Sequence, residues 1–390
     1  MRAMAFLAGA VAVAWAWLGA GAPAAAADAA HSAALTSPAP FAIVFAAAAL
    51  GVFAAVPLVR LFSLRTGVGL DRPNERKMHT APMPRLGGVA IFFGVTCALL
   101  LVWGLGWFGI LPPVKEYEIW GVTIGAVLFF GLGLADDLSA PKGLPAAVRL
   151  VVQFAVAVAA WKVGVDVAAI SLPGMGVVKL AWLGLPLTAI WLVGVVNAVN
   201  FIDGLDGLAA GVAGIAATVT FCVAIFTGQW AAALISAAVA GGTLGFLPYN
   251  FHRARIFMGD GGAYFLGFML AGLAVIGVVK STLALTVALV IPFCILAVPI
   301  FDTASVIVQR LRRGVSPFKA DKRHLHHKLM GAGLSHRSTV LVIYALTLWA
   351  GSLALAISGM PAGGTYAALA TLLLGYVAWG AWKKSQESRP

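Results

Sequence analysis

Charge is scarce in this chain. Only 10% of its 390 residues are charged, 61% are hydrophobic and the mean hydropathy is +0.97, whereas an ordinary soluble domain has about 25% charged residues. This composition excludes a water-soluble globular protein. Apolar runs of roughly 18–25 residues recur along the chain, and each is long enough to cross a bilayer. Because lipid leaves no partner for free backbone groups, we predict an all-α, polytopic membrane bundle of ten or eleven transmembrane helices.

Cysteine is also scarce. The three cysteines, Cys97, Cys222 and Cys294, each lie inside an apolar run. We predict that they are small buried hydrophobic side chains, with no disulfide and no metal–thiolate site. Acidic residues are few as well, and the formal net charge is +12. No basic segment stands apart from the apolar runs, so we predict no nucleic-acid partner and attribute the charge to the positive-inside rule.

The apolar runs define the domain organisation. Residues 1–30 resemble a signal peptide cleaved near Ala27, and an uncleaved extra helix is the alternative. One transmembrane domain is predicted over 41–382, with a cytoplasmic tail at 383–390. Its eleven predicted spans are 41–62, 86–107, 118–135, 146–163, 179–196, 208–227, 230–249, 261–279, 281–305, 339–358 and 363–382.

The polar residues collect on one side of the membrane in this topology. Loops on that side carry 21 of the 26 lysines and arginines, which predicts that it is cytoplasmic. The same loops and span ends hold six of the seven histidines and most of the acids. The sequence therefore predicts a chemically active cytoplasmic face.

Paired acids end the third span. In GLADDLSAPKG (133–143), Asp136 and Asp137 are neighbours, and two adjacent carboxylates need a cation or a proton between them. A divalent ion, a lysine or a bound substrate would serve. A solvated loop start is the alternative, but ionisable groups at membrane depth are usually functional.

A second cluster follows the fifth span. NAVNFIDGLDG (197–207) places Asn197, Asn200 and Asp203 three residues apart, so on a helix they spread over about a third of its circumference. Carboxylate and amide oxygens are ligands that Mg²⁺ accepts beside water and phosphate. Turn chemistry is the alternative, because Asn, Asp and Gly favour turns.

A third cluster precedes the eighth span. In PYNFHRARIFMGDGG (248–262), Asp260 stands between glycines, so backbone amides and a carboxylate can approach a phosphate and its metal together. Phe257 offers a ring face to a base. The alternative is a tight turn with Phe257 as packing.

Two basic loops complete the face. ADKRHLHHKL (320–329) carries three histidines among cations, and an anion-binding loop fits this better than a zinc site. DRPNERKMHTAPMPRLGG (71–88) mixes proline, glycine and cations, which predicts an ordered phosphate or lipid-headgroup clamp. For each, a solvated basic loop is the alternative.

Together, these five motifs resemble the polyprenyl-phosphate N-acetylhexosamine-1-phosphate transferases, or glycosyl transferase family 4, over about residues 41–340. Members of this family move a sugar-1-phosphate from a UDP-sugar to undecaprenyl phosphate and release UMP. PMPRLGG (82–88) and HLHH (324–327) look like the branch that makes carriers for O-antigen of lipopolysaccharide, enterobacterial common antigen, teichoic acid or exopolysaccharide. We expect UDP-N-acetylglucosamine as donor. N-acetylgalactosamine, a modified N-acetylhexosamine or the muramyl-pentapeptide nucleotide are alternatives.

The resemblance also implies roles for individual residues. It implies a Mg²⁺ cofactor, with Mn²⁺ as a substitute, held by Asn200 and Asp260. The residues expected to take part in catalysis are Asp136, Asp137, Asp203 and His324. The residues expected to bind substrate are Asp206, Asn250, Phe257, His326, His327, Arg323, Arg149, Lys77 and Arg85. A homodimer in the bacterial cytoplasmic membrane is expected by analogy alone.

Three departures from the family pattern stand out. The family often has GDSGS where this chain has GDGGA (259–263), so two hydroxyls are missing beside Asp260. The lysine after the paired acids is Lys142, and it stands behind Pro141. Arg253 stands where proline is common.

Two other functions fit the composition less well. A transporter for an anionic metabolite would place its polar site near the bilayer midplane and often shows paired repeats, whereas these acids lie at span ends. An inactive assembly scaffold would not need the acids, and all of them are present.

Overall fold

The computed structural model describes residues 38–71, 82–106, 113–139, 143–172, 176–279, 285–314 and 323–387. The described residues form thirteen α-helices. They are α1 (Ala39–Thr66), α2 (Gly87–Gly104), α3 (Pro113–Leu138), α4 (Ala146–Lys162), α5 (Gly184–Ile202), α6 (Leu208–Phe226), α7 (Trp230–Asn250), α8 (Gly259–Leu273), α9 (Leu285–Ile295), α10 (Ala297–Leu311), α11 (Leu325–Gly331), α12 (His336–Ile357) and α13 (Gly363–Glu387).

Strands are few in the described part of the chain. β1 (Leu70–Asp71) pairs antiparallel with β2 (Met83–Pro84), and β3 (Ala169–Leu172) pairs antiparallel with β4 (Gly176–Lys179). A 3₁₀ turn precedes α5, and a π-helical turn extends α8. The prediction of an all-α polytopic bundle is therefore confirmed.

Most of the predicted spans are single helices. Nine helices in the described ranges are long and apolar enough to cross a membrane. The predicted span at 146–163 corresponds to α4, whose 17 residues extend over roughly 25 Å at 1.5 Å per residue. The N-terminal segment 1–30 lies outside the described residues, so its signal-peptide interpretation stays a prediction.

The predicted single span at 281–305 is wrong. The chain forms two helices there, and Leu296 separates α9 from α10. Pro299 explains the break, because a proline ring clashes with the carbonyl four residues earlier, here that of Ile295. In α10, Pro299 occupies the third helical position, where its missing N–H has no intrahelical partner to lose.

Helix α8 lies at the centre of the bundle. In the membrane-spanning stretch that α8 begins, 94% of the residues are buried, whereas in the stretch within α13 only 11% are buried. Glycines let the neighbouring helices approach α8 closely, and no larger residue would fit there. A Cβ at Gly88 of α2 would lie 2.2 Å from Gly262 N, and a Cβ at Gly133 of α3 would lie 2.4 Å from Asp260 O. Backbone therefore packs on backbone where the GDGG motif begins its helix.

The cysteine prediction is wrong in one respect. All three cysteines are free, but Cys97 is exposed on the surface of α2, and Cys222 and Cys294 are only partly buried. In a membrane bundle the lipid-facing surface is as apolar as the interior. An apolar run therefore does not show which of its residues are buried.

Candidate active site

The carboxylate motifs meet at one end of the bundle. Asp136 and Asp137 lie in the last turn of α3, Asn200 lies in the last turn of α5, and Asp260 is the second residue of α8. The fifth helix continues to Ile202, beyond the predicted end at 196, so Asn200 is helical. Hydrogen bonds and ion pairs connect these four residues into one cluster.

Asp137 holds the start of α8. Its Oδ1 accepts a hydrogen bond from Asp260 N at 3.1 Å, and its Oδ2 accepts one from Gly261 N at 2.9 Å. Arg85 Nη2 lies 3.5 Å from the same carboxylate, which is almost fully buried. A carboxylate at a helix N-terminus accepts hydrogen bonds from free backbone amides and interacts favourably with the helix dipole. Asp137 therefore fixes the backbone that carries Asp260.

Asp136 and Asp260 share one cation. Arg149 Nη1 lies 3.1 Å from Asp136 Oδ2 and 3.5 Å from Asp260 Oδ2. The two carboxyl groups also interact with each other electrostatically. Leu144 N donates to the other oxygen of Asp136. The guanidinium thus offsets the charge of Asp260 and of Asp136, and Asp136 is one of the two adjacent acids for which the sequence required a cation.

Asn200 completes the cluster from α5. Its Nδ2 donates to Asp260 Oδ1 at 2.9 Å. Among the described residues, no group of three or more His, Cys, Asp or Glu side chains is arranged to hold a metal ion. One carboxylate and one amide oxygen nonetheless fit Mg²⁺, which keeps several waters and binds substrate phosphates through one or two protein oxygens. The paired Asp260 and Asn200 are therefore compatible with the predicted cofactor.

The loop between α5 and α6 is joined to the loop between α7 and α8. Asp206 Oδ2 accepts a hydrogen bond from Ala254 N at 3.0 Å. Asn250 Oδ1 accepts one from Gly207 N at 3.0 Å, and its Nδ2 donates to Ile256 O at 3.0 Å. Both ends of the buried Asn250 amide are thus bonded within the protein. The expectation that Asp206 and Asn250 bind substrate stays a prediction, and in the structure these two residues join the two loops.

Asp203 is the C-cap residue of helix α5 and interacts electrostatically with Asp260 of the carboxylate cluster. Burial raises the pKa of Asp203 to about 7, Asp260 and Asp206 raise it further, and Arg85 acts in the opposite direction. Near neutral pH this carboxyl group therefore populates both its protonated and its ionised forms.

The histidine motif packs against the same loop. A Cβ at Gly204 would lie 2.6 Å from His326 Nε2. The rings of His324 and His326 are parallel with centroids 5.8 Å apart, and the His327 ring lies 4.2 Å from that of His326. Burial and the neighbouring His327 and His324 lower the pKa of His326 to about 4, although Asp302 opposes this. His326 is therefore neutral at pH 7.

The described part of the basic loop 71–88 is hydrogen-bonded to Phe257, which lies two residues before α8. Phe257 N donates to Pro84 O at 2.8 Å, and Gly87 N donates to Phe257 O at 2.9 Å. The Phe257 side chain is partly buried.

Arg323 lies directly before His324 and is partly exposed. Lys77 and Lys142 lie outside the described residues.

The GDGGA departure faces a neighbouring helix. A Cβ at Gly261 would lie 3.2 Å from Leu134 N, on the α3 side. A Cβ at Gly262 would lie 2.4 Å from Met258 Cγ, and Ala263 is fully buried. The side chain of a serine at position 261 would thus lie against the backbone of α3.

The departure at Arg253 has a conformational reason. Arg253 has φ of 64°, whereas proline fixes φ near −65°. A proline at this position could not adopt the loop conformation of this chain.

One residue of the site had no role assigned from sequence. Asp302 of α10 accepts a hydrogen bond from Leu325 N, and its other carboxylate oxygen lies 2.9 Å from His324 Nδ1. It stands inside a run that predicts a membrane span, and an acid in such a run is the signal that could have found it.

A bundle of apolar helices with carboxylates, an amide, arginines and histidines at one end defines an integral membrane protein with a polar site at the helix ends. A sequence profile described as "Glycosyl transferase family 4" matches residues 119–278. The chain is 39% identical over 305 residues to the "Probable undecaprenyl-phosphate N-acetylglucosaminyl 1-phosphate transferase" of Bacillus subtilis, covering 78% of this chain and 81% of that protein. The chain belongs to glycosyl transferase family 4.

Two further relatives differ in the lipid that their names give. The "Decaprenyl-phosphate N-acetylglucosaminephosphotransferase" of Mycolicibacterium smegmatis is 36% identical, and the match covers 80% of each chain. The "Undecaprenyl-phosphate alpha-N-acetylglucosaminyl 1-phosphate transferase" of Escherichia coli is 29% identical over 71% of this chain and 73% of that protein. The recognition made from the five motifs is therefore confirmed.

Proposed function

We propose that this protein transfers N-acetylglucosamine 1-phosphate from UDP-N-acetylglucosamine to undecaprenyl phosphate and releases UMP. The reaction would be the first membrane step of a cell-surface polysaccharide. The names of the relatives support the sugar and the polyprenyl acceptor. The observation that carries the proposal is the meeting of Asp136 and Asp260 at Arg149, with Asn200 bonded to Asp260, at the helix ends.

The reaction balances as a phosphoryl transfer. An oxygen of the lipid phosphate forms a bond to the donor phosphorus that carries the sugar, and the bond from that phosphorus to the UMP oxygen breaks. A phosphate monoester has a second pKa of about 6, so most of the acceptor is already ionised at pH 7. The protein therefore has to position and neutralise charge more than to remove a proton.

The carboxylate cluster suits that task. Asp260 and Asn200 would hold Mg²⁺, which when bound would offset charge on the diphosphate. Arg149 lies beside the same carboxylates, and its planar guanidinium has five N–H donors that match phosphate oxygens. Asp137 keeps Asp260 in place through the backbone of α8.

The site is proposed to face the cytoplasm. The loops on its side of the predicted topology carry 21 of the 26 lysines and arginines, and positive loops stay inside. This orientation gives the enzyme access to a soluble nucleotide sugar and to the phosphate of a membrane lipid at once. A homodimer remains a proposal by analogy.

The experiment is a donor and acceptor panel. Purified protein in detergent would be given UDP-sugars with undecaprenyl or decaprenyl phosphate and Mg²⁺, and UMP release would be followed. We expect UMP only when lipid, metal and UDP-N-acetylglucosamine are all present. Asp166→Asn is the charge-matched control, because Asp166 lies on the predicted outer side, and it should keep turnover. No UMP with any donor, or UMP release without a lipid acceptor, would contradict the proposal.

A further inference from the structure

Asp302 has two partners in the histidine segment. Its Oδ2 lies 2.9 Å from His324 Nδ1, and its Oδ1 accepts a hydrogen bond from Leu325 N at 2.7 Å. Asp302 and His324 are both buried. One carboxylate thus connects α10 to the first turn of α11, and each of its oxygens has a different partner.

These two contacts decide where the His324 proton lies. An ionised carboxylate can only accept hydrogen bonds, so the nitrogen that faces it must carry hydrogen. His324 Nδ1 is therefore the protonated nitrogen, and Nε2 is left for another partner. Such a bond to one ring nitrogen sets both the tautomer and the orientation of an imidazole.

We propose that Asp302 is a positioning residue for the transfer: it keeps the hydrogen of His324 on Nδ1, so that Nε2 accepts the remaining proton of a substrate phosphate and the resulting imidazolium pairs with that phosphate. The proposal rests on the proposed function, because it assumes that His324 contacts a phosphate. Neighbouring rings support this placement: the His324 ring centroid lies 6.0 Å from that of Phe201, two residues before Asp203. The parallel His326 ring packs against Gly204. The His324 ring is thus next to the NAVNFIDGLDG loop.

Asp302→Asn tests the proposal with little change of shape. Leu325 N–H still requires an acceptor, so the amide oxygen stays on that side and the amide nitrogen faces His324 Nδ1. Because that nitrogen donates, Nδ1 must now accept, and the hydrogen moves to Nε2. The variant therefore keeps the connection between α10 and α11 and reverses the tautomer.

Thr303→Val is the matched control. Thr303 is the next residue of α10, it is buried, and its hydroxyl has no hydrogen-bond partner in the described structure. Replacing this hydroxyl by a methyl group should leave the His324 tautomer and turnover unchanged. His324→Gln, alone and combined with Asp302→Asn, completes a double-mutant cycle.

Two measurements are made on each variant. The kcat and KM for donor and acceptor come from UMP release. The tautomer comes from ¹⁵N NMR of the histidine rings, with the His324 signal assigned from its loss in His324→Gln. We expect Asp302→Asn to reverse the ¹⁵N pattern and to lower kcat by about 10²-fold, within the usual range for a positioned proton-transfer group. KM should change by less than about threefold, and Asp302→Asn should have no further effect when His324 is already Gln.

Three results would overturn the proposal. One is an unchanged ¹⁵N pattern in Asp302→Asn. Another is full activity despite a reversed pattern. The third is an equal loss of activity in the His324→Gln background, which would assign Asp302 a general structural role. If wild-type protein released no UMP while the tautomer still reversed, the proposed function would fail, and the positioning of His324 by Asp302 would remain.

Discussion

The two halves of the site are built differently. In the carboxylate half, Asp137 binds backbone amides of α8, and the glycines Gly88, Gly133 and Gly262 bring three helices into backbone contact. In the histidine half, His324 is held by the single side chain of Asp302. The first half is fixed by helix packing, and the second depends on the two hydrogen bonds of one carboxylate. The comparison predicts that the two halves will fail in different ways when they are altered.

The largest expected effect is on the carboxylate half. Asp260→Asn removes the only carboxylate proposed to hold Mg²⁺ and keeps the shape of the side chain. We expect kcat to fall by about 10³-fold, as when a single electrostatic contact to the transition state is lost. UMP release measures the loss, and an unchanged melting temperature shows that folding is intact. Turnover within tenfold of wild type would mean that the metal is held elsewhere.

The next effect is on the stability of the same half. A Cβ at Gly88 would lie 2.2 Å from Gly262 N and 2.5 Å from Gly262 Cα, and backbone atoms cannot rotate away. Gly88→Ala should destabilise the protein by about 1–3 kcal/mol or more. Gly194→Ala in α5 is the matched control, because a Cβ there would meet nothing within 4 Å.

Thermal unfolding in detergent, read by tryptophan fluorescence, measures both glycine variants. The alanine at 194 should be neutral or stabilising, because glycine in a helix is about 0.5–1 kcal/mol less favourable than alanine. Equal melting temperatures for the two variants would show that backbone packing does not fix the carboxylate half.

A smaller effect concerns the pH dependence of stability. Because the pKa of Asp203 is raised to about 7 from its usual 3.8, the folded state binds more protons than the unfolded state between these values. The stability contributed by this group is complete below the unfolded pKa and is lost as pH rises towards 7. Asp203→Asn should therefore gain melting temperature relative to wild type as pH rises from 4 to 8. Melting temperatures of both proteins are measured across this pH range in EDTA. A difference between Asp203→Asn and wild type that stays constant from pH 4 to 8 would refute the prediction.

The smallest effect concerns the GDGGA departure. Gly261→Ser restores the residue common in the family, but its Cβ would lie 3.2 Å from Leu134 N. We expect a loss of about 1 kcal/mol or less and less than threefold change in kcat, since position 261 faces α3. A gain in kcat above tenfold would show that the missing hydroxyl contacts substrate in relatives.

The sequence predicted the carboxylate half well because its signals are local. Apolar run length gave most of the helices, and acids at the ends of those runs had to meet on one side of the membrane. Asp136, Asn200 and Asp260 were recognisable because charged and amide groups are rare in such runs. Asp302 is also an acid in an apolar run, but nothing local indicates its partner His324, which lies 22 residues away in the chain, and so it received no role.

Other differences between the predictions from sequence and the structure also have physical causes. The span at 281–305 was predicted as one helix because its composition is uniformly apolar, whereas the clash caused by Pro299 acts on a carbonyl four residues earlier. The resemblance assigned Asn250 to substrate binding, which stays a prediction, and the structure adds that its two hydrogen bonds join separate loops. Cys97 was predicted to be buried, and lipid-facing exposure leaves no mark in hydropathy.

The most direct test of the account follows the phosphorus atoms of the donor. UDP-N-acetylglucosamine labelled with ³²P on the phosphate next to the sugar would be incubated with the protein, Mg²⁺ and undecaprenyl phosphate. We predict that the label enters the lipid fraction while unlabelled UMP appears in equal amount. Label released as UDP would mean that the sugar moves without its phosphate, and this would contradict the proposed reaction at the Asp136, Asn200 and Asp260 cluster.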